Sequence, residues 1–308
     1  MPIEIPDYTF TEITPILKGW SDDTKYLVKT EDDRNLLLRV SAIDKYDRKK
    51  EEFKALKTIE ARGIPAPKPI AFGRCRGNSS VYMLLSWTEG KEAEDVLPLL
   101  SKEEQYNIGI KAGILQKRLN SIPAPKDMKP WDVRFGKKLD WKNERYIDCG
   151  IRFEHDDLML AFIEEHRHLI ENRPQSFQHG DFHCGNIIID GEGEPCIIDF
   201  NRIDYGDPWE EFNRIVWCAK RSIYFAAGRI DGYFDGSIPD EFWDLLLLYI
   251  SSNTLSSIPW SIPFGQKEVD TAVEMAKEVL FWYDDMKSSV PSWYREVKND
   301  FSISGSVQ

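Results

Sequence analysis

No run of this sequence is long and apolar enough to cross a bilayer. The strongest candidate, Phe242 to Ile250, contains Asp244 and stops after nine residues, where a spanning helix needs about 20. Met1 to Phe10 offers neither the basic start nor the apolar core of a signal peptide. The five cysteines (75, 149, 184, 196 and 218) are odd in number and lack paired metal-type spacing. The simplest reading is reduced thiols in a cytoplasmic protein. Basic charge is scarce: 40 Lys and Arg stand against 52 Asp and Glu, for a net charge of −12. The basic stripe of a nucleic-acid-binding surface is missing, so neither nucleic acid nor membrane is expected as a partner. The turn Lys18-Gly19-Trp20-Ser21-Asp22-Asp23 has no Walker A pattern. No internal repeat and no low-complexity segment is present.

What is there describes an ordinary globular chain. Its 308 residues are 42% hydrophobic and 30% charged, enough for two domains or for one domain plus a large lobe. The acidity is unevenly spread. From Asp231 to Gln308 there are thirteen Asp and Glu against five Lys and Arg. That surplus is either a solvated helical surface or a field that attracts a cationic molecule.

Hydrophobic periodicity divides the chain into residues 1–88 and 89–308. Lys25–Lys29 and Leu36–Ser41 read as strands around a turn at 31–35, with Leu36, Leu38 and Val40 on one face. Lys45–Ala61 reads as a helix with the stripe Tyr46, Phe53, Leu56 and Ile59, stopped at Gly63. Ser80–Trp87 is a further apolar strand. The remainder is mainly helical. Ser101 and Glu104 make a capping box, and Asp156–Ile170, Asp240–Ser251 and Lys267–Met286 read as helices. Another helix is expected to begin at Asp207-Pro208, a cap residue followed by proline. A hairpin interrupts: Asn186–Asp190, a Gly191-Glu192-Gly193 turn, then Pro195–Phe200. Disorder is expected for Ser302–Gln308. The C-terminal aromatics (Trp243, Tyr249, Trp260, Trp282, Tyr283, Trp293) read as core, with a minority available to stack on a sugar or an amine.

The chemistry concentrates in His179-Gly180-Asp181-Phe182-His183-Cys184-Gly185-Asn186 and Ile198-Asp199-Phe200. An Asp and an Asn five residues apart, then an Asp ending an apolar run, suit phosphoryl transfer, which needs alignment and charge neutralisation. Asp181 is placed to accept a hydroxyl proton. Asn186 and Asp199 offer hard oxygens to magnesium, which takes its other ligands from water and phosphate. The hairpin would bring its two ends together. His179 reads as a loop-orienting hydrogen-bond residue, and His183-Cys184 has no partner cluster with which to bind a metal.

His179 to Asn186, Ile197 to Phe200 and Gly206-Asp207-Pro208 together resemble the aminoglycoside phosphotransferase and choline kinase superfamily. That resemblance covers about residues 20–220. It implies an α+β, bilobal, protein-kinase-like fold: a small N-terminal sheet lobe with one helix and a larger, mainly helical C-terminal lobe. It also implies transfer of the γ-phosphate of ATP, with GTP left open, to a hydroxyl of a small molecule, assisted by magnesium. By the same resemblance Asp181 is the catalytic base and Asn186 and Asp199 are the metal ligands. Arg39 stands at the third-strand cation that holds the phosphates, where lysine is commoner, and the two are not equivalent. Glu52 or Glu51 is its helix partner. Ser21 lies in the phosphate-covering loop, and Leu85 to Trp87 at the adenine-reading hinge. Asp207 supports the site as a helix cap, and Asp204 either faces substrate or closes a loop. An aminoglycoside-like cation is the leading acceptor. Choline, homoserine, a fructosamine, a methylthio sugar and a macrolide are alternatives, as is a catalytically silent nucleotide-binding module. Oligomeric state has no signature.

Overall fold

The alternation at 36–40 builds a strand with two working faces. In the computed structural model, which describes residues 5–18 and 23–304, β1 (Phe10–Ile16), β2 (Thr24–Thr30), β3 (Asn35–Ala42), β4 (Pro69–Cys75) and β5 (Ser80–Ser86) form an antiparallel sheet. Its order is β1-β2-β3-β5-β4. Leu36, Leu38 and Val40 of β3 pack with Val28, Tyr82 and Leu84 in one apolar cluster. The period of two sends Arg39 to the other face. The helix α1 (Tyr46–Ala61) buries Phe53, Leu56 and Ile59, and Phe53 stacks on Phe72 of β4 at 5.5 Å. It ends where Gly63, at φ +64°, turns the chain and donates to the Glu60 carbonyl. β1 and β4 are strands that the periodicity of the sequence leaves unassigned.

Residues up to Ala93 form one compact unit together with Gly185–Ile203. The latter carry the expected hairpin, with strands Ile187–Ile189 and Pro195–Ile197. Gly193 at φ +78° permits its turn, and an Asp190 carboxylate oxygen accepts the amides of Glu192 and Glu194, each at 2.9 Å. The short strand Lys91–Glu92 pairs with Ile188 and Ile189.

The second unit comprises residues 94–184 and those from 204 onward. It is mainly helical: α2 (Lys102–Asn120), α3 (Trp131–Asp148), α4 (Asp156–His166), α5 (Ile215–Arg221), α6 (Ile223–Phe234), α7 (Asp240–Ser261), α8 (Gln266–Trp282) and α9 (Ser292–Ser304). The Ser101–Glu104 capping box is formed as expected. A two-stranded pair joins Ser176–Gln178 to Asp204–Gly206. α2 and α6 meet through glycines. A Cβ on Gly113 would lie 2.1 Å from the Arg229 carbonyl, and one on Gly228 2.1 Å from that of Tyr106. Backbone contact this close brings Arg229 of α6 into the interior.

Several boundaries differ from the periodicity. α7 runs ten residues past Ser251, because Ser252, Thr254 and Ser261 are buried small polar residues that a hydrophobic count underrates. α8 stops at Trp282, and Asp284, Asp285 and Met286 take positive φ in the turn beyond. α9 extends to Ser304, so residues 302–304 are helical, while 305–308 lie outside the described residues. No helix begins at Asp207. A 3-10 turn, Glu210–Arg214, precedes α5, and Asp207 is drawn into a buried ion pair instead. Of the C-terminal aromatics, Trp243, Tyr249, Trp282, Tyr283 and Trp293 are buried and Trp260 is exposed. Among the described residues no helix is long and apolar enough to cross a membrane.

Candidate active site

In the first unit the face of β3 opposite the apolar cluster carries charge. Arg39 is buried; its Nη1 donates to Glu52 Oε1 at 2.5 Å, and its Nε and Nη2 donate to Asp23 Oδ2 at 3.0 and 2.5 Å. Glu51, one position earlier on α1, turns outward to Lys54; successive helix residues are about 100° apart, so only Glu52 reaches Arg39. Lys49, one turn before Glu52, donates to Glu52 Oε2 at 3.0 Å and to Asp23 Oδ2 at 2.6 Å. Burial alone would raise the Asp23 carboxyl. Arg39, Lys49 and the Ser41 hydroxyl outweigh it and hold the group well below the usual carboxylate range. Asp23 and Lys49 are members of this cluster that sequence reasoning missed. A lysine three residues before Glu52 on the same helical face was the available signal.

The hairpin ends in the same unit. Ile198 N–H donates to the Asn186 carbonyl at 2.9 Å, which closes the loop immediately before Asp199. Asp199 sits at φ +64°, ψ +61°, a left-handed conformation that aspartate tolerates better than most residues. Its carboxylate lies 3.7 Å from Lys25 Nζ and 3.9 Å from Arg39 Nη2. Lys25 is the register partner of Arg39 across β2 and β3, so both cations face one way. Asp199 Oδ1 is buried and accepts no hydrogen bond among the described residues. A buried carboxylate oxygen that accepts no hydrogen bond fits a hard divalent cation, and Asn186 is the second oxygen donor expected from the sequence. Among the described residues no group of three or more His, Cys, Asp or Glu is arranged to hold a metal.

Of the other nucleotide-side candidates, Leu85 is buried in β5, paired with Leu37 and Pro69. Trp87 lies just past the end of that strand and is half-buried. Ser21 lies outside the described residues.

In the second unit the reactive loop is held by its backbone. Glu211 is buried; its Oε2 accepts the His179 amide at 2.5 Å and its Oε1 the Gly180 amide at 2.9 Å. Burial pushes the Glu211 carboxyl up to about 7, reinforced by Glu210 and opposed by Arg229 and the two amides. Buried Arg229 donates to the Phe182 carbonyl at 3.0 Å and to Gln116 at 2.8 Å. His179, also fully buried, accepts the Asp181 amide on Nδ1 at 3.2 Å.

Asp181 Oδ1 then lies 3.2 Å from Arg214 Nε and 3.8 Å from His183 Nε2. The Arg214 contact lacks hydrogen-bond alignment, since that Nε has no bonded partner; its attraction to Asp181 is coulombic. Burial first of all lowers His183 to about 4, so the imidazole is neutral at pH 7. Glu211, Arg214 and Arg229 escaped sequence reasoning because nothing local distinguishes them from surface charges.

Asp207 is fully buried and accepts Arg173 Nε at 2.7 Å, Tyr249 OH at 2.8 Å and the Trp209 amide at 3.0 Å. It therefore anchors the chain beyond Gly206. Asp204 is exposed and paired with Arg134 at 3.2 Å. Lys142 of α3 is buried and has no hydrogen bond or ion pair among the described residues; desolvation and the neighbouring Lys138 lower its amine to about 7.

The phosphotransferase enzyme family (APH) matches residues 12–243, a span that contains both clusters. The chain belongs to this family. It is a small-molecule kinase. Among curated proteins, none matches its sequence. Many solved structures share its fold, among them the following three. APH(2")-IIIa in complex with GDP and kanamycin superposes with a TM-score of 0.69 at 13% identity, over 89% of the kinase and 94% of that chain. Amicoumacin kinase hAmiN, in complex with AMP-PNP, Ca2+ and Ami, gives 0.65 at 14% identity, over 92% of each chain. A thermostable mutant of APH(4)-Ia in its apo form gives 0.60 at 16% identity, over 88% of the kinase and 94% of that chain.

Proposed function

We propose that this kinase transfers the γ-phosphate of ATP, as a magnesium complex, to a hydroxyl of an aminoglycoside-like cationic acceptor. The observation that carries the reading is Asp199: a left-handed residue at a hairpin end, whose buried Oδ1 accepts no hydrogen bond among the described residues and so suits a divalent cation. Asn186 and Asp199 would hold magnesium, which when bound neutralises phosphate charge. Arg39, oriented by Glu52, would hold the phosphates. Asp181 would take the acceptor's hydroxyl proton as attack proceeds. Its amide is fixed by His179, and neutral His183 does not compete with it for charge. Arg214, 3.2 Å from Asp181 Oδ1, offsets the charge of that carboxylate.

A cationic acceptor is supported by the acidic C-terminal quarter, where Asp240, Glu274, Asp284 and Glu296 are exposed. Other acids there are engaged internally: Asp231 accepts Tyr106, Tyr294 and Lys298, and Asp235 pairs with Lys117. The kanamycin, hygromycin and amicoumacin in complexes of similar chains point the same way. Release of ADP from ATP and of GDP from GTP, measured with kanamycin, choline, homoserine, a fructosamine, a methylthio sugar and a macrolide, tests the reading. Kanamycin should give the highest kcat/KM. Turnover of a neutral acceptor in its place removes the cationic part, and nucleotide binding without ADP or GDP release for every acceptor favours a silent module.

A further inference from the structure

Arg39 presents its guanidinium fork not to solvent but to Asp23. A single oxygen, Asp23 Oδ2, receives Arg39 Nε at 3.0 Å, Arg39 Nη2 at 2.5 Å and Lys49 Nζ at 2.6 Å, while Ser41 donates to Oδ1 at 2.6 Å. Three charged donors on one oxygen crowd a carboxylate; a terminal phosphate, with three acceptor oxygens, would satisfy the same donors better. Glu52 grips both cations from the other side, Oε1 on Arg39 and Oε2 on Lys49. They would therefore stay aligned if Asp23 withdrew. Asp23 precedes β2, whereas Arg39 lies on β3 and Lys49 on α1, so the carboxylate is carried by a different segment from the cations it covers.

We propose that Arg39 and Lys49 form a two-cation seat for the terminal phosphates of a nucleoside triphosphate, and that Asp23 occupies this seat as an internal phosphate mimic until nucleotide displaces it. With Asp23 in place the two cations and two carboxylates sum to zero charge. With Asp23 withdrawn the seat carries one net positive charge, matched to an incoming phosphate. Lys49 thereby becomes a phosphate-binding residue in addition to the one at the third strand. The inference rests on the reading of Arg39 as a phosphate-holding residue. Displacement of Asp23 lowers apparent affinity by the fraction of molecules in which the seat is open.

Calorimetric titration of the full chain with MgATP, AMP and inorganic tripolyphosphate tests the seat without requiring an acceptor. Asp23→Ala should tighten MgATP and tripolyphosphate by about tenfold and leave AMP unchanged, because AMP lacks the terminal phosphates. Lys49→Gln should weaken MgATP and tripolyphosphate and spare AMP. Ser41→Ala, which only loosens the hold on Asp23, should tighten MgATP by about twofold, and it decides the matter if Asp23→Ala does not fold. A folded Asp23→Ala protein with unchanged or weaker MgATP affinity overturns the proposal. A wild-type protein that binds neither MgATP nor MgGTP refutes the kinase reading itself, which is a different outcome.

Discussion

Arg39 in the first unit and Asp181 in the second are held in different ways. Arg39 is held by other side chains: Asp23, Glu52 and, through them, Lys49. Asp181 is held by main chain, because Glu211 fixes two amides before it, His179 fixes its own amide and Arg229 fixes the carbonyl after it. Side-chain ion pairs can be exchanged for pairs with a charged ligand by rotation about a few bonds. Amides bonded to a buried carboxylate cannot move without remaking the loop. The first arrangement suits a site that must accept and release a polyanion. The second suits a proton acceptor whose position must not drift, since misplacement of a reacting group is costly.

Breaking the second arrangement at its reactive end should have the largest effect. Asp181→Ala should lower kcat by two to four orders of magnitude, the range on the order of 10²–10⁴ for a lost general base, with MgATP affinity unchanged by calorimetry. Near-normal turnover would remove Asp181 from the chemistry. The first arrangement should fail through stability instead. Arg39→Met leaves Asp23 and Glu52 with Lys49 alone, so urea unfolding should show a loss of about 3 kcal/mol; an unchanged midpoint would mean the cluster contributes no net stability.

A smaller effect sharpens the contrast. Glu211→Gln keeps the volume but offers one acceptor oxygen to two amides, so kcat should fall about tenfold, as an unpaired buried amide costs about 1–3 kcal/mol, while MgATP affinity holds. A parallel loss of MgATP affinity would show that Glu211 also supports the nucleotide side. The smallest effect belongs to Lys142, which neither arrangement uses. Lys142→Met should raise the Tm by a few degrees, about what 1 kcal/mol delivers in a domain of this size. The native amine titrates at about 7 and its ordinary value is 10.5. Between these the unfolded chain binds the proton more strongly, so wild-type stability gains from this group as pH rises. The advantage of the variant should therefore be greatest at pH 7 and below and shrink toward pH 10; a constant advantage would assign it to packing alone.

Local physics carried much of the fold into the sequence. Leu36, Leu38 and Val40 face one cluster because strand geometry repeats every two residues, and Ser101 with Glu104 opens α2 because a hydroxyl and a carboxylate at that spacing satisfy free amides. The hairpin around Gly193 was legible for the same reason. Less visible was α3, whose stripe of Trp131, Phe135, Leu139 and Tyr146 is interleaved with Lys137, Lys138 and Lys142. The α2–α6 contact was hidden as well, because it depends on glycines in two helices more than a hundred residues apart. Among the candidate residues, Asp181, Asn186 and Asp199 stood out by spacing. Asp23, Lys49, Glu211 and Arg229 did not, because an acid or base on a helix or turn looks alike whether it ends in solvent or in the interior.

By itself the sequence determined the side chains available: two aspartates and an asparagine at positions 181, 199 and 186, an arginine on the third strand, and no paired cysteine spacing of the kind that binds a metal. Tertiary structure alone decided the partners. It chose Glu52 over Glu51 for Arg39, set Asp23 and Lys49 against the same guanidinium, and turned Glu211 inward to hold the loop. The physical reason is burial. Removing charged groups from water makes their pairing compulsory, and which groups are removed together is settled by packing between segments far apart in the chain.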